Sequence, residues 1–409
     1  MKQLFFVGRA YPHKHVLLEL QALGYELGIF HDSSKSLKHR ELYAVIIELD
    51  FSSHEAFSQS LSSIPSTLRP DGLLCTYENY ISYKALLAQK LGLPGLSIDA
   101  AIACTDKYVM RSKFMSYDPS ITPHFALVSS IDDLLVFADS HTLPLVIKPT
   151  GLVKSLLVST CYSREELIST YQRTVAQIDA TYKQHSVTGR QPAIIVEEFI
   201  AGKMCSVAAF VDSQGAPHIC DGIAELTMAK DIGYDDNFLY ARKLTGNIPA
   251  PVQEMIRSVA ESGVRALGMT SSPAHIEIIY NDSSAKIVEI GARIGGYRPF
   301  MYKESYGIDM IEQEALVALG RTPKLNGQFT HFSAMYELFP KHIAAFAQLA
   351  HLKPDNTYAY INQAAKPGDS VGPAREGFKA AAVIGISTAP RSAFEAACQE
   401  VEAITVETT

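Results

Sequence analysis

Over the first hundred residues, short continuous apolar runs alternate with amphipathic stretches. KQLFFVG, YELGIF, AVIIEL and DGLLCT have the length and composition of buried strands. Between them, HVLLELQALG (stopped by Gly24), the segment from Ser53 to Ile64, and ENYISYKALLAQKLG have helical spacing. A β-α-β-α order predicts a parallel sheet covered by helices, and such sheets bind ligands at the carboxyl ends of their strands. Gly8, His31, Asp32 and Glu78 fall at those ends. The first turn reads VGRAYPHKH and lacks the G-x-G-x-x-G of a dinucleotide fold, which disfavours a nicotinamide-dependent dehydrogenase.

The pattern changes near Thr105. TDKYVMRSKFM predicts a helix, LPLVIKP a strand entering the loop GLVKS, and LLVST a strand leaving it. SREELISTYQRTVAQIDATYKQ predicts a helix with a Ser-x-x-Glu start, followed by an exposed loop at HSVTGRQP and strands at AIIVEEFI and CSVAAFV. The stretch from Thr227 to Asn247 is polar and is expected to be irregular and mobile. PAPVQEMIRSVAESGVRALG is an amphipathic helix with Pro at its start and Gly at its end, HIEIIY and KIVEIG are strands, and GIDMIEQEALVALG is a helix. From about Phe329 the chain turns into short strands and one helix, SAFEAACQEVEAI.

Composition narrows the class. A chain of 409 residues predicts two to four domains with a real core. Its 36 basic and 43 acidic residues argue against a general nucleic-acid surface. Six cysteines without C-x-x-C spacing read as buried free thiols in a reducing compartment. The N-terminal apolar run is too short for a signal peptide, and no apolar stretch reaches the ~20 residues that span a bilayer. A soluble cytoplasmic protein without nucleic-acid or membrane partners is expected.

HIEIIYNDSSAKIVEIGAR carries the strongest chemistry. A hairpin centred on Ser283 would pair Tyr280 with Lys286 and Glu277 with Glu289, placing both carboxylates on one face. Facing carboxylates repel, and a cation between them reverses the sign; Mg²⁺ binds through a few carboxylates plus substrate phosphates. The competing reading puts both glutamates on a solvent-facing edge, because register slips easily. Arg293, the pair Gly295–Gly296 and then Arg298 follow, suited to a phosphate or carboxylate. Lys148 ends an apolar strand ahead of Gly151, and it and Lys107 are candidates for phosphate contacts, although each taken alone reads more readily as an ordinary surface lysine.

Taken in order, DGLLCTYE with LAQKLGLPG, TDKYVMR, LPLVIKP, VEEFIAG, HIEI, EIGARIGG and YGIDMIEQ resemble the ATP-grasp superfamily, specifically its carboxylate-amine ligases, along nearly the whole chain. Within it, the C-terminal segment looks most like that of L-amino acid ligases. The resemblance implies an α/β and α+β protein: an N-terminal parallel α/β domain over residues 1–104, a two-lobed ATP-grasp domain over 105–325 and a small C-terminal closing domain over 326–409. It implies ATP and Mg²⁺, with Mn²⁺ as a substitute. Metal ligands fall on Glu277 and Glu289, ATP lysines on Lys107 and Lys148, the adenine strand on Glu197, Glu198, Phe199 and Ile200, and the phosphate arginine on Arg293. Lys148 and Arg293 are the catalytic candidates.

Two departures stand out. Met204 replaces the usual ribose-binding acid, and Gly291 the usual Asn ligand two residues after the second Glu, so one magnesium is expected rather than two. The loop TGLVKS is poor in glycine, and Lys154 and Ser155 are expected to compensate. Glu78 and Arg298 are candidates for substrate contacts, and the stretch from Tyr234 to Arg242 for a cover that excludes water. The expected reaction joins a carboxylate, an amino acid, to an amine through an acyl-phosphate. Its rivals are a carboxylase or purine-pathway enzyme of the same superfamily and a non-catalytic nucleotide-binding regulator. A homodimer is compatible with the resemblance.

Overall fold

The computed structural model of the protein describes residues 1–153, 155–188, 190–236, 238–353 and 358–409. The chain opens with β1 (Lys2–Gly8), α1 (Lys14–Ala22), β2 (Tyr25–Asp32), β3 (Val45–Leu49), α2 (His54–Ser60), β4 (Gly72–Leu74) and α3 (Ile81–Leu91). The strands form a parallel sheet in the order β3-β2-β1-β4. Its strands feed two cores: Phe5, Phe30 and Leu73 enter one, Leu4, Phe6, Ile29 and Leu74 the other. Burial on both faces is why these strands read as continuous apolar runs. Ser53 Oγ caps α2 by accepting from the Ala56 amide at 3.0 Å.

The next region comprises α4 (Ile98–Ala103), α5 (Lys107–Tyr117), β5 (Phe125–Val128), α6 (Ile131–Ser140), β6 (Leu145–Pro149), β7 (Ser159–Cys161), α7 (Arg164–Gln184) and β8 (Ile194–Glu198). Its antiparallel sheet runs β5-β8-β6-β7 and is covered by α6 and α7. Ser163 caps α7, accepting from the Glu166 amide at 3.1 Å. The strand expected over LLVST shrinks to β7. Leu156 and Leu157 lie in a turn, Leu157 at φ +56°, with their side chains against the α6–α7 core, so their apolar character reflects packing.

The remaining elements are β9 (Lys203–Val211), β10 (Pro217–Met228), β11 (Leu239–Leu244), α8 (Ala250–Ala266), β12 (Ser272–Tyr280), β13 (Ala285–Gly291), α9 (Arg298–Tyr306), α10 (Met310–Ala318), β14 (Phe332–Leu338), β15 (Ala344–Ala350), β16 (Tyr360–Gln363), β17 (Ser370–Val371), β18 (Ala382–Thr388), α11 (Arg391–Glu402) and β19 (Thr405–Thr408). Eight of these strands form one sheet, β13-β12-β9-β10-β11-β14-β18-β16, and β17-β15-β19 form a small second one. The expectation of an irregular, mobile segment at Thr227–Asn247 is corrected in two places: Thr227 and Met228 end β10, and β11 is an interior strand between β10 and β14. A cover reaching Arg242 is therefore also corrected, since Tyr240, Ala241 and Arg242 are fixed inside the sheet. The polarity that suggested a loop is satisfied there, with Arg242 paired to Glu337 of β14 at 3.2 Å.

The long sheet has two chemically different faces. Cys205, Val207, Ile276, Ile278, Ile287 and Ile290 pack beneath α8, whereas Ala208, Ala224, Leu226 and Met335 pack with Met301 and Tyr302 of α9. Ser206, His275 and Glu277 alternate onto the α9 face, because neighbours along a strand point to opposite sides. That alternation selects the face that carries the polar groups.

Candidate active site

The hairpin β12–β13 brings Glu277 opposite Glu289, but by a different route from the expected one. At the turn, Tyr280 pairs with Ala285 and Ile279 with Lys286, so the expected Tyr280–Lys286 pair is corrected. Ile278 pairs with Ile287, then the register shifts by one residue, leaving Val288 extra, and Glu277 meets Glu289. This β-bulge is what turns Glu289 to the Glu277 face. Without it, strict alternation would send Glu289 to the α8 side with Ile287. Both glutamates are a quarter exposed, at 26% each.

A lysine and a histidine flank this pair. Lys107 Nζ lies 3.2 Å from Glu289 Oε1 and donates to the Leu152 carbonyl at 2.7 Å. The Lys107 amide also bonds the Thr150 carbonyl at 2.9 Å, pinning the start of α5 to the loop after β6. His275 Nε2 is 3.4 Å from Glu277 Oε1. Burial pushes the Glu277 carboxyl up, but the contact with His275 and the nearby Arg298 and Arg293 charges outweigh it and hold it below the ordinary carboxylate range.

Lys148, at the end of β6, is sealed. Its Nζ binds Glu197 Oε1 of β8 at 2.5 Å, and Arg111 of α5 binds the other oxygen of Glu197 at 3.0 Å. Burial, opposed by Glu197 and reinforced by Arg111 and Lys107, pushes the Lys148 ammonium down to about 8. Arg111 Nη2 also donates to the carbonyl of Val288 at 3.0 Å. One fully buried guanidinium thus ties the Lys148–Glu197 pair to the bulge that orients Glu289.

On the third side, Arg293 Nε donates to Glu78 Oε2 at 2.9 Å. Glu78 is buried, and its Oε1 has no hydrogen-bond partner among the described residues. Desolvation raises its carboxyl above the usual range, with Arg293 opposing and Glu289 reinforcing. A Cβ at Gly291 would lie 3.2 Å from Glu78 Oε2, so the carboxylate of Glu78 stands beside the position where a ligand side chain is missing. Gly295 is forced by contact: a Cβ there would lie 2.5 Å from His275 Nδ1.

Other expected residues fall differently. Arg298 is 2% exposed; two of its nitrogens donate to Ser206 Oγ at 3.2 and 2.6 Å, and burial pushes its guanidinium down to about 10. It stands behind Glu277 as a fixed positive charge. Glu197 presents no free carboxylate, because Lys148 and Arg111 occupy both oxygens. Glu198 turns away toward His124, Phe199 is 40% exposed, and Ile200 is half-buried. Ser155 sits in the loop after β6 at φ +55°, and Lys154 lies outside the described residues. Met204, second in β9, lies opposite Ile279. The sequence reading missed Arg111, His275 and Arg242. Two of them carried a signal: Arg111 lies four residues after Lys107 on one helix face, and His275 two before Glu277 on one strand face.

Residues 141–299 match the sequence profile of the ATP-grasp domain. The chain carries an ATP-grasp domain. It is 22% identical over 315 residues to alanine–anticapsin ligase of Bacillus subtilis, an alignment that takes in 74% of this chain and 66%, just under two thirds, of that protein. Among solved structures, the L-amino acid ligase from Bacillus licheniformis superposes with a TM-score of 0.82 at 19% identity, over 100% of this chain and 99% of that one. Phosphoribosylglycinamide synthetase from Anaerococcus prevotii superposes at 0.72 and 17%, over 100% of both chains. The expected mixed α/β architecture, with a parallel N-terminal sheet ahead of the ATP-grasp fold, is therefore found. Among the described residues, no helix is long and apolar enough to cross a membrane.

The ATP-grasp residues fit the hard cation that the fold implies. Two register-paired carboxylates could supply oxygen ligands, and a third, Glu78, keeps a buried oxygen without a hydrogen-bond partner among the described residues. Lys107, Lys148 and Arg293 bring positive charge to the site from three separate elements.

Proposed function

We propose that the protein is an ATP-dependent ligase that joins a carboxylate, an amino acid, to an amine through an acyl-phosphate, releasing ADP and phosphate. The observation that carries this reading is the Glu277–Glu289 pair, turned to one face by the bulge and ringed by Lys107, His275 and the Glu78–Arg293 pair. Divisions near residues 104 and 325 would then separate a substrate-side domain, the ATP-grasp domain and a closing domain.

Glu277 and Glu289 would hold magnesium, or manganese in its place, which when bound neutralises the phosphate oxygens and lets an anionic carboxylate approach them. Lys107 and Lys148 meet the phosphates as point charges, and the backbone of Glu197 to Ile200 offers its hydrogen-bonding groups to an adenine edge. A substrate carboxylate oxygen bonds to the γ-phosphorus as the bond to the ADP oxygen breaks. The amine nitrogen then attacks the acyl carbon, phosphate leaves, and the amine proton passes to solvent. Arg293 stabilises charge on the transferring group. Glu78 holds Arg293 through Oε2 and keeps Oε1 to accept a hydrogen bond from a substrate ammonium, which favours amino acids over simple acids.

The test is a phosphate-release screen of paired amino acids and other small acids and amines, with bicarbonate as a separate arm, on wild type and Glu289→Ala. Amine-dependent ADP formation that Glu289→Ala abolishes supports the ligase. Dependence on bicarbonate selects a carboxylase, and ATP binding without turnover on any acid sinks the reading.

A further inference from the structure

Glu197 and Glu198 point to opposite faces of β8, and the second is part of a cluster that the reaction does not use. His124, just before β5, is bound to Glu198 through its backbone: its amide donates to Glu198 Oε2 at 3.0 Å, and its carbonyl accepts from the Glu198 amide at 3.0 Å. Its Nδ1 lies 3.2 Å from Glu198 Oε2. His141, one residue past α6, brings a second imidazole 5.6 Å from the first, centroid to centroid.

The orientation of His141 is fixed from behind. Its ring stacks on Phe137 at 3.9 Å and 10°, and its Nδ1 lies 2.9 Å from the Phe137 carbonyl oxygen and 3.0 Å from Ser140 Oγ. A carbonyl only accepts, so Nδ1 carries the proton and Nε2 keeps its lone pair. That is the tautomer and backbone support characteristic of metal-binding histidines. One ligand atom from each of His124, His141 and Glu198 lies within 4.8 Å of the others.

We propose that His124, His141 and Glu198 bind a divalent transition-metal ion of the zinc type, at a site separate from the magnesium carboxylates. Two imidazoles and one carboxylate suit zinc, cobalt, nickel or copper, whereas magnesium prefers oxygen ligands and keeps its water. Tetrahedral ligands at zinc distances stand about 3.4 Å apart, so the cluster needs a small inward rotation of His124 and Glu198. His124 is solvent-exposed, which leaves room for that rotation and for water as the fourth ligand. A bound ion would clamp the end of α6 to β8, one residue before Phe199. Without an ion, the same residues keep the direct contact between His124 Nδ1 and Glu198 Oε2.

The experiment uses the full chain after chelator treatment, titrated with Zn²⁺ alone by calorimetry and with Co²⁺ alone by visible absorption. Wild type is compared with His124→Asn and His141→Asn. The six cysteines are buried, so thiols compete little, but the chain holds 13 histidines and the decisive quantity is a difference. One equivalent lost, or weakened at least tenfold, in each variant and unaffected by millimolar Mg²⁺ supports the site. A zinc-dependent rise in melting temperature confined to wild type supports it further. Identical isotherms in all three proteins, or complete displacement by Mg²⁺, overturn it and leave only the His124–Glu198 contact. Unchanged melting of the metal-free variants shows that any loss is not misfolding.

Discussion

The two lysine–glutamate pairs of the site differ in almost everything but composition. Lys107–Glu289 is open: the lysine is 8% exposed, its carboxylate 26%, and a second carboxylate stands opposite. Lys148–Glu197 is closed, at 4% and 6%, with Arg111 on the remaining oxygen. The open pair can exchange partners, so Glu289 can leave Lys107 for a metal and Lys107 can turn to a phosphate. The closed pair cannot exchange without stranding a buried charge. It instead sets how readily Lys148 holds its proton. The candidate site thus combines one replaceable contact with one permanent one.

The largest effect should come from breaking the open pair. Glu289→Ala is expected to lower ADP formation by roughly a hundredfold or more, since bound metal supplies several kcal/mol of charge stabilisation. A melting curve should shift little, because a partly exposed ion pair contributes about 1 kcal/mol or less. Removing the arginine that seals the closed pair should reverse that balance. Arg111→Met leaves Glu197 and the Val288 carbonyl short of a donor and should cost ~3 kcal/mol in urea unfolding. Lys148→Met keeps the Arg111–Glu197 pair, so it should retain most stability while kcat/KM for ATP falls ~10-fold or more.

A smaller effect separates the pairs by pH. Burial pushes the folded pKa of Lys148 down to about 8, below the ordinary lysine value of 10.5. The folded state therefore binds fewer protons between those values, so this group's contribution to stability rises with pH from about 8 to 10.5. At pH 7 its burial penalty is fully present. Activity should run the other way: kcat/KM for ATP should fall above about pH 8 as Lys148 loses its proton. Lys148→Arg should lack that limb; a limb that persists in it would assign the titration elsewhere. Smallest of all, Glu78→Gln should free Arg293 and raise KM for the amino substrate a fewfold, with kcat nearly unchanged, by steady-state kinetics.

What the sequence disclosed follows the range of the forces involved. Strands β1 to β4 were readable because both faces are buried and the pattern is local. The Glu277–Glu289 pairing was also readable, although the hairpin centred on Ser283 misassigned Tyr280. Two errors cancelled: the turn is one residue tighter than expected, and the bulge restores the count. Arg111 was invisible as a functional group because its partners, Glu197 and Val288, lie 86 and 177 residues away. β11 was read as irregular because Arg242 is balanced by Glu337, 95 residues on. The buried setting of Arg298 likewise depends on Ser206, across the fold in β9.

The extra residue at Val288 makes chain length a chemical variable. Smoothing the bulge into a uniform pleat with Val288 kept would retain every side chain that the reaction uses, yet it would send the Glu289 carboxylate in among the isoleucines beneath α8, whereas deleting Val288 outright would leave the two carboxylates facing. Adding or removing two residues in the turn at 281–284 would leave the facing pair intact. Between hairpins of different length, then, it is whether the two arms match in length or a bulge absorbs the odd residue, rather than the identity of the residues counted, that decides whether two carboxylates share one ion.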